Sequence, residues 1–153
     1  MSLLSKTSEL INEPIRAIWL KQPYASLMHH GKIETRTWAT GYRGLVLLCA
    51  SKAHYTQDEV ESISGPVQTK RLFEELKDDA TLNNGGFALS VGRLVDCRPM
   101  KKADENQAFV AYYPELYCHI YEDVTPIKPF EIKGCQGWKK LESGIWDKIE
   151  FLK

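Results

Sequence analysis

The sequence predicts an α+β fold: a curved or closed sheet with short flanking helices. Three observations carry this reading. Strand-like runs outnumber the helical runs and enclose them in chain order. The run LVLLCA at residues 45–50 is apolar at every position, as a strand covered on both faces must be. Gly92 interrupts the long strand pattern FALSVGRLVDCRPM, where a glycine marks the bulge or bend that curls a sheet. A chain of 153 residues suffices for one domain with one core. Residues 1–13 read as an N-terminal extension and residues 14–153 as that domain.

Taken in order, IRAIWLKQ is rich in β-branched and aromatic residues and reads as the first strand. Pro23 then suits the first position of a short helix over residues 24–30, which Gly31 closes in the left-handed conformation. KIETRTW switches to period two, with Lys32, Glu34 and Arg36 on one face and Ile33, Thr35 and Thr37 on the other. YRGLVLLCASK is the buried strand. TQDEVESI begins with Thr56 as helix N-cap, and VQTKRLFEELKDD is a second helix placing Val67, Leu72, Phe73 and Leu76 among its apolar positions; Gly65 and Pro66 divide the two. NNGG is a turn before the strand that Gly92 bends. ENQAFVAYYPEL reads as a short helix stopped at Pro114, YCHIYEDVTPI as a strand, KPFEIKGCQGWKKL as a loop, and GIWDKIEF as a closing strand. No repeat or low-complexity segment interrupts this order.

Composition narrows the function. With 43% hydrophobic and 26% charged residues the chain is globular, and no apolar run approaches bilayer-spanning length. Residues 1–13 lack the basic start and continuous apolar block of a secretory signal, so a cytoplasmic protein without a membrane partner is expected. Twenty basic and twenty acidic side chains cancel, which argues against gripping long nucleic acid by bulk charge and leaves room for a local basic groove. Cys49, Cys97, Cys118 and Cys135 form no C-x-x-C pair and read as buried free thiols rather than a zinc knuckle or disulfide frame. No cofactor is called for.

Of the histidines, His29 and His30 fall in the last turn of the first helix, where an imidazole meets the negative helix end. Their backbone directions differ by about 100°, and no third ligand is spaced nearby, so no metal site is read here. His54 and His119 read as structural residues, since nothing in the sequence brings either to a site. The charged strand face of Lys32, Glu34 and Arg36 admits two readings: a solvated face with neutralising pairs, or a constellation for a polar planar ligand.

On residue pattern alone the solvated face is the reading, and four blocks in one order bring the ligand reading back: LKQPYASL; GKIETRTW with YRG and ASK; ALSVGRLVD; and YCHIYEDVTPIKPFEIKGCQGW. Together they resemble the ASCH domains of the PUA-like superfamily over roughly residues 15–140. The resemblance implies a small PUA-like β-barrel with helices at its ends and a cleft beside the motif. The family pattern is G-x-K-x-x-E-x-R, and this chain is two residues shorter between Gly31 and Glu34. Glu34 and Arg36 carry over directly, while the shortened turn displaces the Lys32 ammonium.

The resemblance implies two competing functions. The first is binding of RNA or a nucleoside-like ligand, with Tyr24, Lys32, Glu34, Arg36, Trp38 and Gln136 as ligand-binding residues. Trp38 and Tyr24 flank the motif as stacking candidates, where packing at the barrel mouth is the equal alternative. Gln136 offers an amide between Gly134 and Gly137, or simply a polar turn. The second is hydrolysis, as an N4-acetylcytidine-type amidohydrolase or a ribonuclease, with Lys32 and Glu34 catalytic. In the deacetylating relatives a threonine stands where Glu34 aligns, and Thr35 points away from Lys32 on a regular strand. A water activated by the carboxylate would replace that nucleophile. Trp19 and Trp146 read as core residues.

Overall fold

The computed structural model describes residues 4–152, and its architecture is a mixed α+β fold on one six-stranded sheet. The strands are β1 (Ile15–Leu20), β2 (Glu34–Arg36), β3 (Gly44–Ala50), β4 (Phe87–Pro99), β5 (Tyr117–Glu131) and β6 (Lys139–Lys140). Their order across the sheet is β2-β5-β4-β3-β1-β6. β1 and β3 run parallel and the other neighbours antiparallel. All the expected strands near Ile15, Glu34, Leu47, Leu89 and Tyr121 are present. The sheet is curled, and because its edges β2 and β6 do not pair with one another it is only partly closed.

Curvature comes from the long pair β4 and β5, whose register shifts between Ala88 and Ser90, between Val91 and Arg93, and between Leu94 and Asp96. The middle shift falls on Gly92, as the sequence suggests. A Cβ there would lie 2.8 Å from Val124 Cγ2, so only glycine lets the two strands approach this closely.

Alternation along the central strands builds a core on each face. Ala17, Leu47, Cys49 and Val91 pack with Ile127, Trp146 and Ile149 on one side. Ile18, Val46, Leu48 and Leu89 pack with Ala25 and Met28 on the other. Each fully buried Leu or Ile contributes about 1.5–3 kcal/mol, and β3 holds a buried residue at every position from Leu45 to Ala50.

The helices are α1 (Ser8–Ile11), α2 (Tyr24–Leu27), α3 (Gln57–Glu75) and α4 (Glu105–Ala108). α3 starts with the capping box of Thr56 and Glu59 and kinks at Gly65, whose φ of 78° is non-helical, before Pro66. A third core cluster lies between α2, α3 and α4, with Leu27, Ile33, Val60, Leu72, Leu76 and Phe109. Of the expected extension over residues 1–13, residues 1–3 lie outside the described residues; further along it Leu10 is buried and Glu13 pairs with Arg93 at 2.6 Å.

Several local expectations are corrected. Residues 144–151 are no closing strand: Ser143–Lys148 is a 3-10 helix, and only Phe151 bridges to Ile127. Buried Trp146 is drawn inward by the helical turn, which a strand's alternation would not allow with Ile149. KPFE continues β5, and the lysine pair at 139–140 forms β6. α4 ends at Phe109 in the left-handed conformation, five residues before Pro114. Val67 and Phe73 are exposed rather than packed. Cys49 and Cys118 are buried thiols, but Cys97 is half-buried and Cys135 exposed. Among the described residues, no helix is long and apolar enough to cross a membrane.

Candidate functional site

The motif is delivered by a tight hook. α2 passes into a 3-10 turn at Met28–His30, and Gly31 at φ 91° closes it. The Lys32 amide then donates to the Leu27 carbonyl, and the Ile33 amide to the Gln107 carbonyl. Pro23 stands as N-cap, one place earlier than expected. β2 begins only at Glu34, so Lys32 sits in the hook and not on a strand face with Glu34 and Arg36.

Lys32 is buried. Its Nζ donates to the Ile33 carbonyl at 2.7 Å and to Glu34 Oε1 at 3.4 Å, and lies 5.5 Å from the centre of the Tyr24 ring. Burial pushes the ammonium pKa down, and the Glu34 carboxylate opposes that shift. Glu34 Oε1 also accepts from the Thr35 amide, and Oε2 accepts from Arg36 Nε at 3.1 Å. One buried carboxylate thus holds both cations. Arg36 Nη2 donates to the Trp19 carbonyl at 3.0 Å, while Nη1 has no hydrogen-bond acceptor among the described residues.

These groups border a cleft of about 480 Å³, within the size range of small-ligand sites. Tyr24, Lys32, Glu34, Arg36 and Gln136 all line it, and Thr35 borders it too. Gln136 arrives from the distant 135–137 loop, which the sequence alone could not place. Tyr24 hydrogen-bonds to Ser64, and burial pushes its phenol up to about 12. Trp38 does not line the cleft. It packs edge-on against His119 and Trp138, with Arg36 Cζ 5.7 Å from its ring, so it supports the guanidinium from behind.

Tyr55, Lys21 and Cys135 also line the cleft and were not singled out from sequence as site residues. Tyr55 meets Tyr24 edge-on at 5.7 Å, and Lys21 Nζ lies 5.0 Å from the Tyr55 ring centre. Lys21 follows β1 directly in sequence, whereas Tyr55 sits in a segment with no periodicity.

His119 is fully buried and pairs across the sheet with Glu34, outside the cleft lining. Its Nε2 donates to the Trp38 carbonyl at 2.9 Å, and burial lowers its pKa against that hydrogen bond. His54 is exposed. His29 and His30 do not border the cleft either, but the loop after α3 brings Asp79 to both rings, a partner that sequence spacing could not reveal.

No family model matches the chain, and no curated protein matches it.

Proposed function

We propose that the protein is an ASCH-type domain of the PUA-like superfamily that binds RNA or a modified nucleoside in this cleft. The observation that carries the reading is the convergence of Tyr24, Lys32, Glu34, Arg36 and Gln136 on one concavity of nucleoside size. A half-exposed guanidinium held by a buried carboxylate, with Nη1 unengaged, is suited to a base edge or a phosphate. Tyr24 and Tyr55 supply aromatic walls beside it. The curled mixed sheet agrees with a PUA-like barrel that is open at its edges.

Hydrolysis is the second reading, favoured by Lys32. A buried amine with a lowered pKa next to a carboxylate is the arrangement a general base requires, and Glu34 is placed to orient a water. Substrates of this reading are N4-acetylcytidine or short RNA.

Titrating the protein with cytidine, N4-acetylcytidine and a short single-stranded RNA, while following tryptophan fluorescence, tests binding. Saturation that disappears in Arg36→Ala supports the binding site. Chromatography of the same mixtures decides hydrolysis: acetate, cytidine or cleaved RNA formed by wild type but not by Lys32→Ala makes the protein an enzyme. No saturation with any of the three probes, and no product, rejects both readings.

A further inference from the structure

We propose that His29, His30 and Asp79 form a binding site for a borderline divalent cation of the zinc or cobalt class, separate from the cleft. Both residues lie in the 3-10 turn, and their ring centres are 4.9 Å apart. His29 Nε2 lies 2.8 Å and His30 Nε2 2.7 Å from the same atom, Asp79 Oδ2. The donor atoms of all three residues lie within 4.8 Å of one another.

Two nitrogens and one carboxylate oxygen are the ligand set of three-residue zinc sites, which keep a fourth position for water. Metal–ligand bonds of about 2.0–2.2 Å put tetrahedral ligands about 3.3–3.6 Å apart. Opening the two histidine–carboxylate contacts by about 0.5–0.9 Å would make room for the ion between them, a movement within the reach of side-chain torsions.

What distinguishes this cluster from an ordinary ion pair is how two of its three ligands, His30 and Asp79, are oriented from behind, while His29 Nδ1 is buried without a hydrogen-bond partner among the described residues. His30 Nδ1 lies 3.0 Å from Glu75 Oε2, so this ring stands between two carboxylates, which only accept. A carboxylate on one ring nitrogen is the arrangement that turns the other nitrogen toward a metal. Asp79 is oriented as well: its Oδ1 accepts from the Thr81 amide at 2.9 Å and from the Thr81 hydroxyl, which leaves Oδ2 for the histidines. With side-chain exposures of 10%, 21% and 10% the site is sheltered but open to solvent at His30. A bound ion would tie the turn that launches the Gly31 hook to the loop following α3.

The full chain, treated with chelator and dialysed, is titrated with Co²⁺ by visible absorption and with Zn²⁺ by calorimetry. One cation per chain is expected, with tetrahedral cobalt bands, no thiolate charge-transfer band, and a melting temperature raised by the metal. His29→Ala and Asp79→Ala should each abolish the cobalt spectrum. Glu75→Gln, which keeps all three ligands, should weaken binding by about tenfold or more, and it guards against a ligand variant that fails to fold. Cys135→Ser should bind as wild type. Absence of stoichiometric binding, loss of binding in Cys135→Ser, or unchanged affinity in Glu75→Gln overturns the site and leaves a metal-free hydrogen-bonded cluster.

Discussion

Lys32 Nζ lies 3.4 Å from Glu34 Oε1, with only 1% and 8% of the two side chains exposed. Burial holds the Lys32 pKa below its ordinary 10.5, even with the carboxylate opposing. Between the lowered folded value and 10.5 the unfolded chain therefore binds the extra proton, and stability gained from this residue rises with pH across that window. Below the window the buried charge costs stability.

Lys32→Met isolates this term. The unfolding free energy of wild type minus that of the variant should increase as pH climbs from neutrality toward 10.5. Urea denaturation at several pH values measures it. A difference that stays constant over the window would mean that the ammonium is not penalised by burial.

Arg36 is held by Glu34 on one side and the Trp19 carbonyl on the other, which fixes its plane at the cleft wall. Arg36→Lys removes that planar donor and should weaken binding of whichever probe saturates the cleft by about 1–3 kcal/mol. Glu34→Gln keeps the shape but leaves Lys32 without its anion. It should cost about 3–5 kcal/mol of stability, while Arg36→Lys shifts the melt little. Equal melts for the two variants would contradict the buried-carboxylate account.

The bend of the sheet, its fully buried strand and the break in α3 were legible because their causes are local. Gly92, the continuous run after Gly44 and the Gly65–Pro66 break each act through the backbone or through strand alternation, and each stands where the sequence pattern put it. Glu34 and Arg36 were legible for the same reason, since residues two apart on a strand share a face. Lys32 reached the cleft by another route: it sits in the hook after Gly31, where it meets Glu34 from the side. Trp38 took the packing alternative of its reading, because its ring is claimed by His119 and Trp138, contacts between segments far apart in sequence. Gln136, Tyr55 and Asp79 are brought to their places only by tertiary packing, which no periodicity encodes. The segment at 144–151 misled because an alternating apolar pattern this short fits a 3-10 turn as well as a strand.

Gly92 makes a double-mutant test of the bend. A methyl group there would meet Val124 Cγ2 at 2.8 Å, and Val124 Cα at 3.5 Å leaves little room to retreat. Gly92→Ala should cost about 1–3 kcal/mol by overpacking. Adding Val124→Ala should recover part of that loss, an interaction energy readable from a thermodynamic cycle. Strict additivity would show that the glycine is needed for its backbone alone.

Asp104 ties the far ends of β4 and β5 together, and its acid sensitivity is the last expectation. Its carboxylate takes both Arg98 terminal nitrogens at 2.8 and 2.9 Å, the Lys101 amide at 2.8 Å, and the Cys118 thiol. The Arg98 hydrogen bonds, foremost, hold its carboxyl well below the ordinary 3.8. For a carboxylate with a lowered folded pKa the stabilisation is complete above the unfolded value and drains away as pH falls toward the folded one. Asp104→Asn leaves Arg98 without its anion and should cost about 1.5–3 kcal/mol at pH 7, the scale of hydrogen bonds to a charged group. The gap to wild type should narrow steadily below pH 3.8, because protonation does to the wild-type carboxylate what the amide does permanently. Urea unfolding at neutral and acid pH reads both values. A gap unchanged at low pH would show that the loss comes from altered packing around Cys118 and not from the carboxylate's charge.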